Sequence, residues 1–390
     1  MELIPSPPPL TPPHSEEEKL DWLRLLRSRR VGPATFYRLT AEFGSAAAAL
    51  AELPQVARAA GVSDYAPCPV DVAAAEMRAA RLAGARMLAR GMPDYPHALA
   101  DLADPPPILW AMGNTALLHR PALALVGARN ASSLGTRMAR RLAAELGEAG
   151  FVVVSGLARG IDAAAHLGAL ASGTVAVMAG GVDVVYPPEN AVLAQELLEK
   201  GLRLSEQPMG LQPQARHFPR RNRLIAGLAR GVVVVEAAAR SGSLITARDA
   251  LDLGREVLAV PGHPFDARSG GSNLLIRDGA TLIRGAADVT EVLGAPDAGP
   301  TPPGPDTRPD DDDGTPSAAA RAPAAPVAAP PSATTVENRI LGCLGAAPVA
   351  EDQLIRDLAL PAAEIAPHLV TMELDGRIAR NAGGLLHRVE

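Results

Sequence analysis

The chain has 390 residues, 47% hydrophobic but only 3% aromatic, with two cysteines and a formal net charge of −6. That length buries one large core and carries one or two small domains. Cys68 and Cys343 stand alone, without CxxC or Cys/His spacing, which excludes a disulfide framework and a structural zinc and fits the cytoplasm. The opening Met1-Glu2-Leu3-Ile4 leads into a Pro-rich polar run with no signal-peptide pattern, and no apolar run is long enough to span a bilayer, so a soluble protein with no membrane partner is expected.

Residues 1–18, rich in Pro, Ser and Glu, are expected to be disordered. Residues 19–75 read as a small helical domain. Helices at 20–26 and 34–43 are joined by Arg30-Val31-Gly32-Pro33, and Gly44 is a natural stop. This is a helix-hairpin-helix or SAM-like pattern. Such a turn can hold a phosphate, and a plain helical hairpin fits the spacing as well.

Residues 76–293 form the main domain. After Tyr95-Pro96 and Pro105-Pro106-Pro107 comes Ile108-Leu109-Trp110, then apolar runs at 123–126, 151–154, 175–178, 232–235 and 257–260, alternating with helical patterns. Unbroken apolarity marks strands buried on both faces, so the expected fold class is α/β, with a doubly wound, mostly parallel sheet. Residues 294–333 are a Pro/Ala/Asp-rich linker, and in 334–390 helices at 335–344, 351–358 and 361–374 precede strands at 377–380 and 385–389, a winged-helix-like domain. Its third helix offers Glu364, His368 and Glu373 and no Arg or Lys, which points to a regulatory or protein-contacting role, with the wing residues Arg377, Arg380 and Arg388 available to a DNA backbone.

Net charge is a poor guide to partners here, because the run Asp310 to Asp313 lies in the linker while residues 121–290 are mildly basic. Lys19 and Lys200 are the only lysines, so the basic charge is almost wholly arginine. Arg216-His217-Phe218-Pro219-Arg220-Arg221-Asn222-Arg223 contains no acid. Phe218 offers a ring for base stacking, Arg220, Arg221 and Arg223 can neutralise phosphates, and Asn222 can bond a base or cap a helix at 223–229. A solvated charge run is the plainer reading.

Three strand-to-helix turns carry small residues and arginine. Ser155-Gly156-Leu157-Ala158-Arg159-Gly160 follows one strand and opens a helix, presenting free N–H groups and a helix dipole to an anion, with Arg159 beside them. Val126-Gly127-Ala128-Arg129 closes the first run of the core. Gly127 permits close approach of a ligand, and Arg129 reaches over the same edge or is a plain exposed arginine. Arg240-Ser241-Gly242-Ser243 opens a third helix with hydroxyls, a glycine and N–H groups. In an open α/β sheet such turns converge outside the carboxyl ends of the strands.

Enzyme signatures are absent from the sequence. Neither lysine sits in a Walker Gly-Lys-Ser/Thr context, no Gly-x-Gly-x-x-Gly follows the first strand, and there is no nucleophile elbow, so no cofactor is expected. Asp162 and His166 lie one helical turn apart, an arrangement that is usually structural.

Taken in order, Val-Gly-Ala-Arg at 126–129, Ser-Gly-Leu-Ala-Arg-Gly-Ile-Asp-Ala-Ala-Ala-His at 155–166, Gly-Gly-Val-Asp-Val-Val-Tyr-Pro-Pro-Glu-Asn at 180–190, His-Phe-Pro-Arg-Arg-Asn-Arg-Leu-Ile-Ala-Gly-Leu at 217–228, Glu-Ala-Ala-Ala-Arg-Ser-Gly-Ser at 236–243 and Val-Pro-Gly-His-Pro at 260–264 resemble the DNA-processing protein A (DprA, also called Smf) family. The resemblance covers residues 99–283. It implies an extended Rossmann-like domain that binds single-stranded DNA as a homodimer. It also implies a part in natural transformation, loading RecA recombinase and displacing single-strand-binding protein. Carried onto this chain, it assigns Gly127, Arg129, Ser155, Gly156, Arg159, Phe218, Arg221, Asn222, Arg223 and Ser241 to the pocket, to which the turns and the basic run add Gly160, Arg220, Arg240 and Gly242. Where the family has Thr or Ser, this chain has Ala128, one hydroxyl fewer.

Two other readings stand beside it. The Ser-Gly turn also resembles lysine-decarboxylase-like phosphoribohydrolases and molybdenum cofactor carriers, which would make the chain a binder or hydrolase of a phosphorylated nucleotide. Those hydrolases carry a glutamate shortly after their glycine motif, and residues 240–248 have none. An adaptor for recombinase with a vestigial pocket is the third.

Overall fold

A computed structural model describes residues 11–296, 333–344, 349–358, 360–381 and 385–389. The chain divides into two compact units, Met1–Ala295 and Pro296–Glu390. Among the described residues no helix is long and apolar enough to cross a membrane.

The first unit opens with α1 (Glu16–Arg27), α2 (Pro33–Phe43), α3 (Ala46–Ala59) and α4 (Val70–Leu82). Residues 15–18, expected to be disordered, are ordered: Ser15 Oγ accepts from the Glu18 N–H while the Glu18 carboxylate accepts from the Ser15 N–H, a capping box that starts α1 a turn earlier than its apolar pattern does. Residues 1–10 lie outside the described residues. Pro33 occupies the first turn of α2, where no N–H is needed, and Gly44 ends that helix at φ 81°. Trp22 and Phe36 meet edge to face at 4.9 Å in the centre of this module, among Leu23, Leu25, Leu39 and Leu53. The expected domain boundary at 75/76 falls inside α4, which packs on α1 and closes that core.

The sheet follows: β1 (Arg86–Ala89), β2 (Ile108–Gly113), β3 (Ala122–Val126), β4 (Val152–Ser155), β5 (Thr174–Val177), β6 (Leu202–Ser205), β7 (Gly231–Val234), β8 (Glu256–Ala259) and β9 (Thr281–Leu282). The helices between and after them are α5 (His97–Ala100), α6 (Ser133–Glu148), α7 (Ile161–Ala169), α8 (Ala191–Lys200), α9 (His217–Leu228), α10 (Ser243–Asp252), α11 (Gly270–Arg277) and α12 (Ala286–Leu293). Strand order is β1-β2-β6-β5-β4-β3-β7-β8-β9, parallel from β6 to β9, with β1 and β2 antiparallel at one edge. This is the expected doubly wound, Rossmann-like sheet. Leu123, Leu125, Val153 and Val233 point into one core with α6 and α7, while Ala124, Val126, Val154 and Val232 point into the other with α9 and α10. Burial on both faces is why these strands read as unbroken apolar runs, each Val or Leu contributing roughly 1.5–3 kcal/mol.

From β3 the chain winds outward through β4, β5 and β6, then returns along α9 to place β7 on the other side of β3. The strand order therefore reverses between β3 and β7. A crevice at the carboxyl ends of those two strands is the structural consequence.

The second unit contains α13 (Ala333–Cys343), β10 (Val349–Ala350), α14 (Glu351–Leu358), α15 (Ala362–Leu374), β11 (Ile378–Asn381) and β12 (Leu385–Arg388), the strands pairing β10-β12-β11. Ile340, Leu354, Ile365, Leu369, Met372 and Leu386 form its core. Three helices and a hairpin match the expected winged helix. Most of the expected linker, residues 297–332, lies outside the described residues, as does the turn at 382–384.

Candidate nucleic-acid interface

The crevice begins where β3 and β7 run out. The Ala128 N–H donates to Glu236 O at 2.6 Å, and a Cβ on Gly127 would stand 2.6 Å from Ile161 Cγ1 and 2.7 Å from Glu236 O, so only glycine lets these two strand ends close on each other. Gly127 thus packs the two strand ends together while its backbone lines the crevice. The buried Glu236 carboxylate accepts from the Ser132 N–H at 2.8 Å at the start of α6, and burial pushes its pKa up. That helix end already holds an anion of the protein's own.

The same is true of the turn at 155–160, where the sequence predicted a phosphate cradle. Asp162, fully buried, accepts from the Gly156 N–H at 3.2 Å and the Ala158 N–H at 3.3 Å. Ser155 Oγ donates to Leu125 O at 2.6 Å and has no exposure. Gly160 takes φ 75°, and a Cβ there would strike the Ala128 carbonyl. The N–H groups expected to face a ligand therefore face a carboxylate, and Ser155, Gly156 and Gly160 shape the floor.

Arg221 completes this floor. It is 6% exposed, and its Nη1 donates to Gly156 O and to Val177 O, both at 2.6 Å. A Cβ on Gly156 would occupy the guanidinium's place. Burial lowers the Arg221 pKa to about 10, which leaves the group charged at neutral pH, and Asp162 opposes that shift. Burial raises the Asp162 pKa, against the pull of Arg221. Arg221 is braced from below through Nη1 and carries a buried countercharge to Asp162. Arg223 turns away altogether, donating to Asp104 O at 2.9 Å and pairing with Asp104 and Glu206.

His166 and Asp162 do not form an acid–base pair. His166 Nδ1 lies 2.8 Å from Thr174 Oγ1, its Nε2 has no hydrogen-bond partner, and burial holds its pKa at about 3, so the ring is neutral.

What remains open to solvent is a cavity of about 600 Å³ above this floor. Arg129 and Arg240 are exposed on its walls, and neither forms an ion pair among the described residues. The Arg129 guanidinium lies 4.9 Å from the centre of the half-buried Phe218 ring, a geometry that holds both flat faces in place. Ser241 and Ser243 hydroxyls meet at 2.7 Å, with the exposed Gly242 between them and the Asn222 amide directed at Gly242 O at 3.4 Å. Arg220 is exposed on α9, which begins at His217 and not at 223, because Arg221 and Asn222 are anchored beneath it. Arg159 is exposed on an adjoining hollow with Tyr186 and Phe218, and its pair with the equally exposed Glu189 at 3.4 Å contributes little.

Sequence reasoning missed further groups, Asn130, Thr246 and Arg268 on the cavity and Tyr186 on the adjoining hollow. Tyr186, 46% exposed, stands 5.9 Å from Phe218 and extends its aromatic surface. Its signal was the Tyr-Pro-Pro segment, quoted only as a motif. Thr246 sits one turn into α10, and Arg268, after β8, lines the cavity while paired with Asp266 at 3.1 Å. Among the described residues Asp162 is the only acid lining the cavity, and the Arg221 charge pulls against its raised pKa.

An open α/β domain with a cationic, aromatic crevice at its switch point, preceded in the chain by a helical-hairpin module and followed in the chain by a winged helix, is the architecture of a nucleic-acid-handling protein. The chain belongs to the DNA recombination-mediator protein A family, whose model matches residues 86–294; the DprA-like N-terminal HHH domain matches 16–79 and the DprA winged helix domain 322–384. The DNA processing protein DprA of Bacillus subtilis is 45% identical over 202 residues, covering 51% of this chain and 68% of that protein. Its Streptococcus pneumoniae counterpart is 46% identical over 197 residues, covering 50% and 70%. In structure, DNA processing protein A of S. pneumoniae matches with TM-score 0.55 at 34% identity over 72% of this chain and 93% of that one. The Helicobacter pylori protein, described for its unique single-stranded DNA binding mode, matches with TM-score 0.50 at 32% identity over 54% and 95%.

Proposed function

We propose that this chain binds single-stranded DNA in the β3/β7 crevice and acts in the cytoplasm as a recombination mediator in natural transformation. In that role it protects incoming strands, loads RecA recombinase and helps displace single-strand-binding protein, working as a homodimer. The observation that carries the binding reading is the pairing of exposed Arg129 and Arg240, neither in an ion pair among the described residues, with the Phe218 ring around one cavity, Tyr186 extending that ring surface into the adjoining hollow. Arginines neutralise successive phosphates, and rings accept any base, which together give sequence-tolerant binding.

In this reading Arg129, Phe218, Arg220, Arg240, Ser241 and Gly242 touch the strand, with Tyr186 and Arg159 at one rim. Gly127, Ser155, Gly156, Gly160, Arg221 and Asn222 position them, and Arg223 ties α9 to Asp104 and Glu206. The neutral His166 and the engaged Asp162 supply no acid–base pair, which favours binding over the hydrolase alternative.

The test is fluorescence anisotropy with a labelled single-stranded oligonucleotide and its duplex, run beside a base-release assay on nucleoside monophosphates. Preference for the single strand without base release is expected. Equal weak binding to both DNA forms together with base release would favour the hydrolase.

A further inference from the structure

The loop after β8 carries an aromatic ring that contributes nothing to the core. Phe265 is 80% exposed, and its ring stands 5.6 Å from that of His263, the two planes inclined by 38°. The loop that presents it is braced at every step. Gly262 and Asn273 exchange hydrogen bonds of 3.1 and 3.0 Å, the Phe265 N–H donates to His263 Nδ1 at 3.3 Å, the Asp266 N–H to His263 O at 2.9 Å, and the Ser269 N–H to Asp266 O at 2.9 Å. A phenyl ring left in water gains no hydrophobic stabilisation from folding, which leaves its face open to a ligand.

Its place points to that use. The Gly271 N–H donates to Ala237 O at 2.6 Å, which packs the far end of the loop against the turn leading to Arg240 and Ser241. Arg268, three residues from Phe265, lines the crevice, so chain geometry keeps the two Cα atoms within about 11 Å. Its neighbours along the chain are His263, Pro264, Asp266, Ala267 and Arg268, and its ring contact is with His263. What the loop shares with the crevice is Arg268 on its lining and a hydrogen bond to the strand-to-helix turn that carries Arg240, so an aromatic face and guanidinium groups belong to one neighbourhood, the chemistry of a nucleotide.

We propose that Phe265, backed by His263, is a second stacking platform that takes a base of the single strand as it leaves the crevice past Arg240. The platform rests on the single-strand reading above and extends it. It makes the footprint longer than the cavity, adding the Phe265 ring to those of Phe218 and Tyr186.

The experiment is a length series. Single-stranded oligonucleotides from a few bases to a few tens of bases are titrated against the full chain, F265A and F265W. The shortest strands should bind F265A as they bind the unaltered chain, while long ones should bind about fivefold more weakly or worse, with F265W restoring the loss. The melting temperature of F265A should not change, since the ring packs on no core. Equal affinity of F265A and the unaltered chain at every length overturns the platform while leaving the crevice reading intact. An equal loss at all lengths overturns it too, because the residue would then act on the crevice itself. Failure of the unaltered chain to bind any single strand removes both.

Discussion

The crevice and the winged helix both present arginines on folds that handle DNA, yet the two sets have different surroundings. Around the crevice Arg129 and Arg240 reach solvent with no acid beside them. In the winged helix Arg377 pairs with Glu337 at 2.7 Å, and Arg380 with Glu351 at 2.6 Å and Glu373 at 2.7 Å. These exposed pairs add little stability, but they cancel the field a phosphate would feel. Of the wing arginines put forward from the sequence, Arg388 alone keeps an exposed side chain outside any ion pair among the described residues. Charge surroundings, more than fold type, are what support the proposed nucleic-acid contact in the first unit.

The sharpest way to break this contrast is to ask whether Arg221 belongs with the ligands after all. Replacing it by Met leaves Asp162 buried without its countercharge and the Gly156 and Val177 carbonyls without their donor, a cost of about 3–5 kcal/mol in the stability of the first unit by denaturant unfolding. A stability loss under about 1 kcal/mol together with abolished DNA binding would make it a ligand and undo the division into struts and contacts.

The second effect is pH-dependent and belongs to the floor. His166 is held neutral down to about pH 3, whereas in the unfolded chain it takes a proton near 6.5. Its folded pKa lies below its unfolded one, so its contribution is complete above 6.5 and is lost as pH falls toward 3, at up to about 1.4 kcal/mol per pH unit. Asp162, whose pKa is raised, works in the opposite sense, so the comparison that isolates the ring is the unaltered chain against His166→Leu, whose stability should fall less steeply with acid. Identical acid profiles would place a proton on the native imidazole and contradict the burial argument.

The smallest effect tests the other side of the comparison. Removing residues 334–390 should change single-strand affinity less than about threefold, and a loss beyond about tenfold in equilibrium binding would return the contact to the winged helix.

The sheet was legible because β3, β4, β5, β7 and β8 are buried on both faces and so are written as apolar runs. β6 was not, since Leu202-Arg203-Leu204-Ser205 alternates like a half-exposed strand although all four residues are buried. β9, at two residues, is too short to carry a pattern. The site was legible as a set of turns and illegible as a set of roles. Arg220, Arg221 and Arg223 are one run in sequence, but the helical turn sends the first to solvent, the second under the sheet's end and the third to Glu206. Likewise the free N–H groups read into residues 155–160 depended on Asp162, which stands two residues beyond and folds back to accept them.

The central claim, that Arg129 and Arg240 are the phosphate contacts, is tested most directly by the salt dependence of single-strand binding for the unaltered chain and the Arg129→Ala/Arg240→Ala variant. Two lost phosphate contacts should make the slope of log affinity against log salt shallower by about 1.4 and weaken binding at low salt, with the melting temperature unchanged. A variant with the slope and affinity of the unaltered chain would contradict the account.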